Sequence, residues 1–413
     1  MELRVEQSCP QCGAPVTLAE TDRLLTCPYC GVKNFLRSRG AFRYLLPVRA
    51  AEAERGELLY VPYLRLKSTV YSVSENGIAH RIIDTTRLGH PLPGLPPTLG
   101  VRPQAMKLAP VTPGTGNRFL RMSVKAGALM ENGTGAVGWS GNRGRSEYHR
   151  AAVGDTFSLI YLPLARDNSH LIDAVTDNPL VPLERLESLS LSGVPFNPRW
   201  QTSFLPALCP RCGWSLDGAG DCLVLTCDNC DSAWEVGDHG LQRTDWQVQP
   251  GGPETSLYLP FWKITAAVPA LAISSFGDFI ERCNQPLLPG PLWRERAMSY
   301  WIPAFKVRPR TFLRLARALT VSQWRLRPED GHVVPGFFSV TLAEKEARQA
   351  VKITLAACAV SPDSVHPALP GARLKVAART LVFLPFTSHG YELVQPHTGA
   401  AVPGNVLQFG RKL

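Results

Sequence analysis

Several features are missing from this 413-residue chain. No run of about 18 apolar residues could cross a bilayer as a helix. The longest candidate, Ile264 to Ile273, is short and interrupted by Pro269. The opening segment MELRVEQSCP has no apolar core, which predicts that the chain carries no secretory signal. No Gly-x-Ser-x-Gly, His-Glu-x-x-His or Walker pattern occurs. The nine histidines are scattered; His80, His170 and His397 fall in strand-like segments and read as structural. Neither Asp84 nor Asp173 has an acidic neighbour that would suggest a dyad. No catalytic group is nominated, and the expectation is a protein that is not an enzyme.

The composition itself is ordinary for a globular protein, with 45% hydrophobic and 19% charged residues, which excludes wholesale disorder. Its length predicts two to four domains at roughly 100–200 residues each. Proline (36) and glycine (34) are in surplus, which argues against a helical bundle and for short strands broken by turns. The formal net charge of +10 is spread along the chain rather than held in a tail, a balance compatible with nucleic acid or an anionic membrane surface.

The eleven cysteines say more. Eight form four Cys-x-x-Cys pairs: Cys9 and Cys12, Cys27 and Cys30, Cys209 and Cys212, Cys227 and Cys230. Fourteen residues separate the inner cysteines in both sets. Zn²⁺ takes four soft ligands in a tetrahedron, and a Cys-x-x-Cys turn supplies one edge of it. Each set therefore reads as a closed site for one structural Zn²⁺, in a reducing, cytoplasmic setting. A redox dithiol would sit at a helix start in a βαβ unit, and no such context is present. Gly13, Gly31 and Gly213 follow a cysteine where a knuckle needs positive φ, and Asp231 takes the fourth such place. RLLTC and LVLTC, ahead of the second knuckles, read as strands. Cys222 reads as a strand residue rather than a fifth ligand, and Cys283 and Cys358 as small buried apolar residues.

The equal spacing prompts a search for repeats. LYVPYL (59–64) returns as LYLPFW (257–262), and IYLPL (160–164) as VFLPF (382–386). LIDAVTDNPLV (171–181) faces LVQPHTGAAVP (393–403), setting Thr176 against Thr398. AMKLAP and RFLR (105–110, 118–121) resemble AMSYWIP and TFLR (297–303, 311–314), which sets Phe119 against Phe312. The expected fold is mainly β with some α (α+β), built as two tandem copies of a four-cysteine zinc ribbon plus a β-rich domain. The boundaries are 1–38 and 39–200, then 201–240 and 241–413, with helices near 311–320 and 341–352. Thr341 and Glu344 form a capping-box pattern at the start of the second helix. The phrase aromatic–apolar–Pro recurs at Tyr60–Pro62, Tyr161–Pro163, Tyr258–Pro260, Trp301–Pro303 and Phe383–Pro385. Proline cannot donate to a ladder, so these phrases are expected on edge strands, at strand ends or at bulges. A ligand-lining aromatic row is the alternative reading. Asn76-Gly77 signals a hairpin. The glycine-rich stretch around Glu131, Asn132 and Gly133 reads as a loop, and Gly89–Pro113, with seven prolines, as an extended connection.

The most basic region runs from Arg294 to Arg327, with Glu295 its one acid and Trp293, Trp301, Phe305, Phe312 and Trp324 interleaved. Arg308, Arg310, Arg314 and Arg317 are candidates for anion or nucleic-acid contact, with the aromatics as stacking surfaces. The same pattern is equally that of an amphipathic helix with a solvated basic face.

With CPQCG and CPYCG at the front, and TLAEKEARQAV, VFLPF and YELVQPHTGAAVPGN at the back, the chain resembles a bacterial group of zinc-ribbon proteins. Their four-cysteine ribbon is likened to that of the general transcription initiation factor or of the primosomal helicase. Thr398-Gly399 keeps the end of that group's Asn-Gly-x-Thr-Gly hairpin, while Gln395-Pro396-His397 departs from its start. The resemblance implies a zinc-binding accessory protein, sometimes membrane-associated, with no established activity. The expected role is a scaffold or adaptor that docks protein partners, with nucleic-acid binding as the alternative and peripheral membrane association compatible with both.

Overall fold

The structure is a computed structural model that describes residues 3–49, 57–116, 118–124, 147–185, 193–237 and 240–410. The glycine-rich stretch around Glu131, Asn132 and Gly133 lies outside the described residues. The fold is mostly β. Contacts group the chain into two units. Met1–Lys67, Asp84–Gly141 and Thr156–Ala207 form the first; Ser68–Ile83, Asn142–Asp155 and Leu208–Leu413 form the second.

The first unit opens with two hairpins, β1 (Arg4–Ser8) with β2 (Pro15–Ala19) and β3 (Leu24–Thr26) with β4 (Lys33–Arg37). Then come β5 (Phe42–Leu45), β6 (Leu59–Ser74), β7 (Gly77–Leu88), β8 (Lys107–Pro110) and β9 (Glu147–Arg166), of which residues 68–74 of β6, 77–83 of β7 and 147–155 of β9 group with the second unit. The chain continues through β10 (His170–Asp173), β11 (Asn178–Pro182) and β12 (Ser203–Pro206), the last of which extends the β3–β4 hairpin. The β6–β7 turn is made by Glu75 and Asn76, with Gly77 at φ 100°, as the Asn-Gly signal leads one to expect.

The second unit has β13 (Val224–Cys227), β14 (Ser232–Gly237), β15 (Gly240–Thr244), β16 (Trp246–Val248) and β17 (Thr255–Ala267). They are followed by β18 (Ser299–Pro303), β19 (Glu329–Asp330), β20 (Lys375–His389), β21 (Glu392–Val394) and β22 (Ala401–Pro403). Its principal helices are Pro309–Val321 and Glu344–Cys358. Both helices cover apolar faces: Phe312, Leu315, Ala316 and Leu319 of the first are all buried, as their spacing predicts.

One strand order occurs twice. In the first unit β7–β6–β9–β5–β8 are neighbours; in the second, β18–β17–β20–β16–β19. In both, a strand pairs in parallel with the long one: Tyr44 opposite Ile160, and Trp246 opposite Leu381. The turns that follow also agree. Asp177 N donates to Asp173 O, and Gly399 N to Gln395 O, with Asp177 and Gly399 both at positive φ. Buried Gln395 closes its turn by accepting from the amide and hydroxyl of Thr398 at 2.7 and 2.8 Å.

The middle of the repeat differs from the sequence alignment. Tyr60 bridges to Phe119 in parallel, and the equivalent Tyr258 bridges to Phe337, not to Phe312. Phe312 lies on a helix with no long counterpart among the described residues of the first unit. The alignment slips because β17 and β18 are separated by an insertion carrying the helices Phe276–Arg282 and Pro291–Glu295, whereas β6 and β7 are joined by a tight turn.

Of the recurrent prolines, Pro303 ends the edge strand β18 as expected, but three others depart from expectation. Pro62, Pro163 and Pro260 lie within long strands paired on both sides. The carbonyl of each accepts one last bond from the neighbouring chain: from Gly89 N at 2.8 Å, Ala174 N at 3.1 Å and Ala304 N at 3.0 Å. Those donors stand where β7, β10 and β18 have ended. Within a strand, a residue's N–H and C=O point to the same side, so each missing N–H faces a place with no acceptor to fill. The aromatic residues of four of these phrases pack within the core. Tyr60, Tyr161, Tyr258 and Phe383 are buried and pack on Phe119 or Phe337 at centroid distances of 4.1–5.7 Å.

Two further expectations are corrected. The second helix begins at Glu344 and runs to Cys358, with Ala343 as its N-cap and no side-chain cap. The Thr341 hydroxyl accepts from Lys306 N at 2.9 Å, and the Glu344 carboxylate pairs with Arg348 and Arg379 instead of reaching back to close a box. His397 lies in a turn, whereas His80 and His170 are in strands. Asp84 and Asp173 are structural: they pair with Arg65 and Arg102. Among the described residues, no helix is long and apolar enough to cross a membrane.

Candidate metal centres

Each Cys-x-x-Cys pair forms the turn of a short hairpin or the loop beside one. In the first set, Cys9 and Cys12 link β1 to β2, and Cys27 and Cys30 link β3 to β4. Three of the knuckles close by the same backbone bond. Gly13 N donates to Cys9 O at 2.9 Å, Gly31 N to Cys27 O at 3.0 Å, and Gly213 N to Cys209 O at 2.8 Å. The three glycines have φ of 72–75°, and Asp231 adopts φ 51° in the fourth knuckle, as the sequence leads one to expect. Asp231 also ties that knuckle to the body of its unit. Its Oδ1 accepts from Val333 N at 2.7 Å, and its carbonyl accepts from Trp246 Nε1 at 3.1 Å.

The thiol sulfurs converge. Cys9 and Cys30 are 3.7 Å apart and Cys12 and Cys27 3.7 Å; Cys209 and Cys230 are 3.6 Å apart and Cys212 and Cys227 3.5 Å. Within each set all four sulfurs lie within 4.8 Å of one another. A disulfide needs about 2.05 Å, so these are not bonded pairs. A tetrahedron with Zn–S of about 2.3 Å has an S–S edge of about 3.8 Å, which these separations fit. Each of the two sets can hold one metal ion.

Electrostatics make the same point. In the first set the Cys30 amide helps hold the Cys27 thiol down to about 6. The Val32 amide draws on Cys30 likewise, yet lost solvation and the neighbouring thiols push it up to about 12. In the second set lost solvation opposes ionisation of Cys209, but Ser232 and the backbone amides of Arg211 and Cys212 bring it to about 6. Lost solvation and the Cys212 thiol push Cys227 to about 12. Four thiolates at this range repel one another, and a divalent cation at their centre makes the fully ionised set stable.

The second set has a supporting layer that sequence reading missed. Buried Ser232 Oγ lies 3.0 Å from Cys230 Sγ and 3.5 Å from Cys209 Sγ. The Asn229 side chain also bonds to Cys212. Val32 occupies the place of Ser232 in the first set. The only available sign was a hydroxyl two residues after a ligand. Cys222 is buried in the turn ahead of β13, not within a strand. Cys283 and Cys358 are fully buried, and burial pushes the Cys283 thiol up to about 12.

The basic candidates have a different setting. Arg308, Arg310, Arg314 and Arg317 are all exposed at or along the helix Pro309–Val321. Arg314 donates to Ala401 O at 3.2 Å. The interleaved aromatics face inward: Trp301, Phe305 and Phe312 are buried, and Trp293 and Trp324 pack on each other at 5.6 Å.

Compared with protein-family models, curated proteins and solved structures, the chain matches none.

Proposed function

We propose that this chain is a non-enzymatic zinc-binding scaffold, with two structural Zn²⁺ ions fixing rigid tips that dock protein partners. The observation that carries this reading is the closure of both sites. Four thiols surround each centre, so a bound Zn²⁺ has no coordination position left for water or substrate. Zinc fits better than harder cations because all eight donors are sulfur. Persistent thiolate sites belong in a reducing compartment, which makes the cytoplasm the proposed location. Exposed apolar groups flank the knuckles: Tyr29 in the first set, Leu208 and Trp214 in the second. Side chains of this kind on a rigid tip are suited to insertion into a partner's pocket. Metal analysis of the purified chain should give about two zinc per chain, and one or none would sink the proposal. Leu208→Ser with Trp214→Ser should abolish capture of a co-purifying protein without changing the zinc content.

A second reading rests on the exposed Arg308, Arg310, Arg314 and Arg317. With Trp301, Phe305 and Phe312 buried and Trp293 and Trp324 half-buried against each other, phosphate contact is the main interaction this face offers. Replacing Arg310, Arg314 and Arg317 with Ala should then weaken nucleic-acid binding and lower its salt slope; unchanged binding removes the patch from consideration.

A further inference from the structure

Within the second unit, residues His149–Ala152 of β9 and the helix Glu344–Cys358 border a cavity of about 260 Å³. Arg150, Arg348 and Lys352 line it together with Ala151, Ala152 and Leu374, and no carboxylate is among the described residues that line it. The cations are held in place. Arg150 donates to Glu147 at 2.7 and 2.6 Å, Arg348 donates to Glu344 at 2.5 and 3.1 Å, and Lys352 Nζ donates to Leu369 O at 3.1 Å. A guanidinium has five N–H donors and an ammonium three, so Arg348 and Lys352 keep donors to spare. His149 Nε2 is buried without a hydrogen-bond partner. Burial first, then the Lys352 charge, push its ring down to about 4, leaving a neutral imidazole at physiological pH.

We propose that this cavity is a binding site for a small organic phosphomonoester. Arg150, Arg348 and Lys352 would face its phosphate, His149 Nε2 would hydrogen-bond to it, and Ala151, Ala152 and Leu374 would support its organic body. Three fixed cations with no carboxylate among the described lining residues suit a dianion better than a monocarboxylate. The volume lies just under the roughly 300–1,000 Å³ of sites for drug-sized ligands, so the ligand is compact rather than a dinucleotide. An orphaned buried nitrogen costs free energy in the empty site, and a bound phosphate oxygen relieves that cost. The site goes beyond the scaffold reading and does not depend on the metal centres.

The test is calorimetric titration of the full zinc-loaded chain with phenyl phosphate, with inorganic phosphate and phenol in parallel. The expected result is saturable 1:1 binding of phenyl phosphate, tighter than inorganic phosphate, and none of phenol. Arg348→Met with Lys352→Met removes two charge-assisted contacts and should weaken binding by at least about tenfold. Ala152→Leu keeps every charge but fills the cavity, and should abolish binding with zinc content unchanged, which reports the fold independently. The proposal is overturned if phenyl phosphate does not bind the wild-type chain, if inorganic phosphate binds as tightly, or if Ala152→Leu binds as well as wild type.

Discussion

Ser232 Oγ lies 3.0 Å from Cys230 Sγ and accepts a 2.8 Å hydrogen bond from Trp234 Nε1. A metal-bound thiolate can only accept, so the serine hydroxyl donates to the sulfur while the indole fixes its rotor. Val32 gives the first site no such donor. Supporting contacts of this kind are typically worth about 10–100-fold in metal affinity. Chelator competition on the zinc-loaded chain should therefore release the ions in two phases, the first site leading. Ser232→Ala should bring the phases together, as read by a chromogenic zinc indicator.

Arg65 is almost wholly buried and pairs with buried Glu20 and with Asp84; the Ser158 hydroxyl completes the group by donating to Glu20 at 2.6 Å. Arg65→Ala strands the Glu20 carboxylate and should cost about 3–5 kcal/mol in denaturant unfolding. Arg65→Met combined with Glu20→Met should recover most of that loss, since no buried charge is then left unpaired.

Glu346 accepts from Asp155 N at 3.0 Å and is pushed up to about 7, chiefly by burial, against the opposing pull of Lys306 and with the help of Asp155. Its folded state holds a proton that the unfolded chain gives up near 4.5. The associated stability is therefore fully present below about pH 4.5 and is lost as pH rises toward 7. Glu346→Gln keeps the acceptor and removes the titration. At pH 8 it should be more stable than wild type by about 1–3 kcal/mol, and that gain should shrink at pH 5. Chemical denaturation at the two pH values measures both.

Pro260 and Leu259 are neighbours with opposite demands. Pro260 lacks an N–H on a side where none is needed, so Pro260→Ala should shift stability by less than about 1 kcal/mol. Leu259 faces Leu384 on the other side, in the continuous β17–β20 ladder. Leu259→Pro should cost at least about 1–3 kcal/mol for the orphaned acceptor, read by thermal unfolding.

The metal sites were legible because their information is local: two knuckles, a fixed gap, and glycine or Asp231 where positive φ is required. The end of the repeat was legible for the same reason, since Asp177 and Gly399 close equivalent turns. The middle was not. The insertion between β17 and β18 changes the spacing, and RFLR resembles TFLR more closely than it resembles PGFF, the segment that holds Phe337. Thr341 and Glu344 spell a capping box, but the Lys306 amide claims the first side chain, and Arg379 with Arg348 of the same helix claims the second. The Arg65 group and the cavity beside His149 unite residues far apart in the chain, and no local pattern marks them.

The pairing of Pro62 with Gly89, and of Pro260 with Ala304, bears on how this architecture tolerates change. Beyond Gly89 the chain enters a proline-rich connection with the short helix Arg102–Ala105; beyond Ala304 it enters the helix Pro309–Val321. A residue without a donor releases the neighbouring chain at a defined point, and whatever follows breaks no ladder bond. Each such proline therefore works as a graft point, where length can be added or exchanged while the sheet keeps its register.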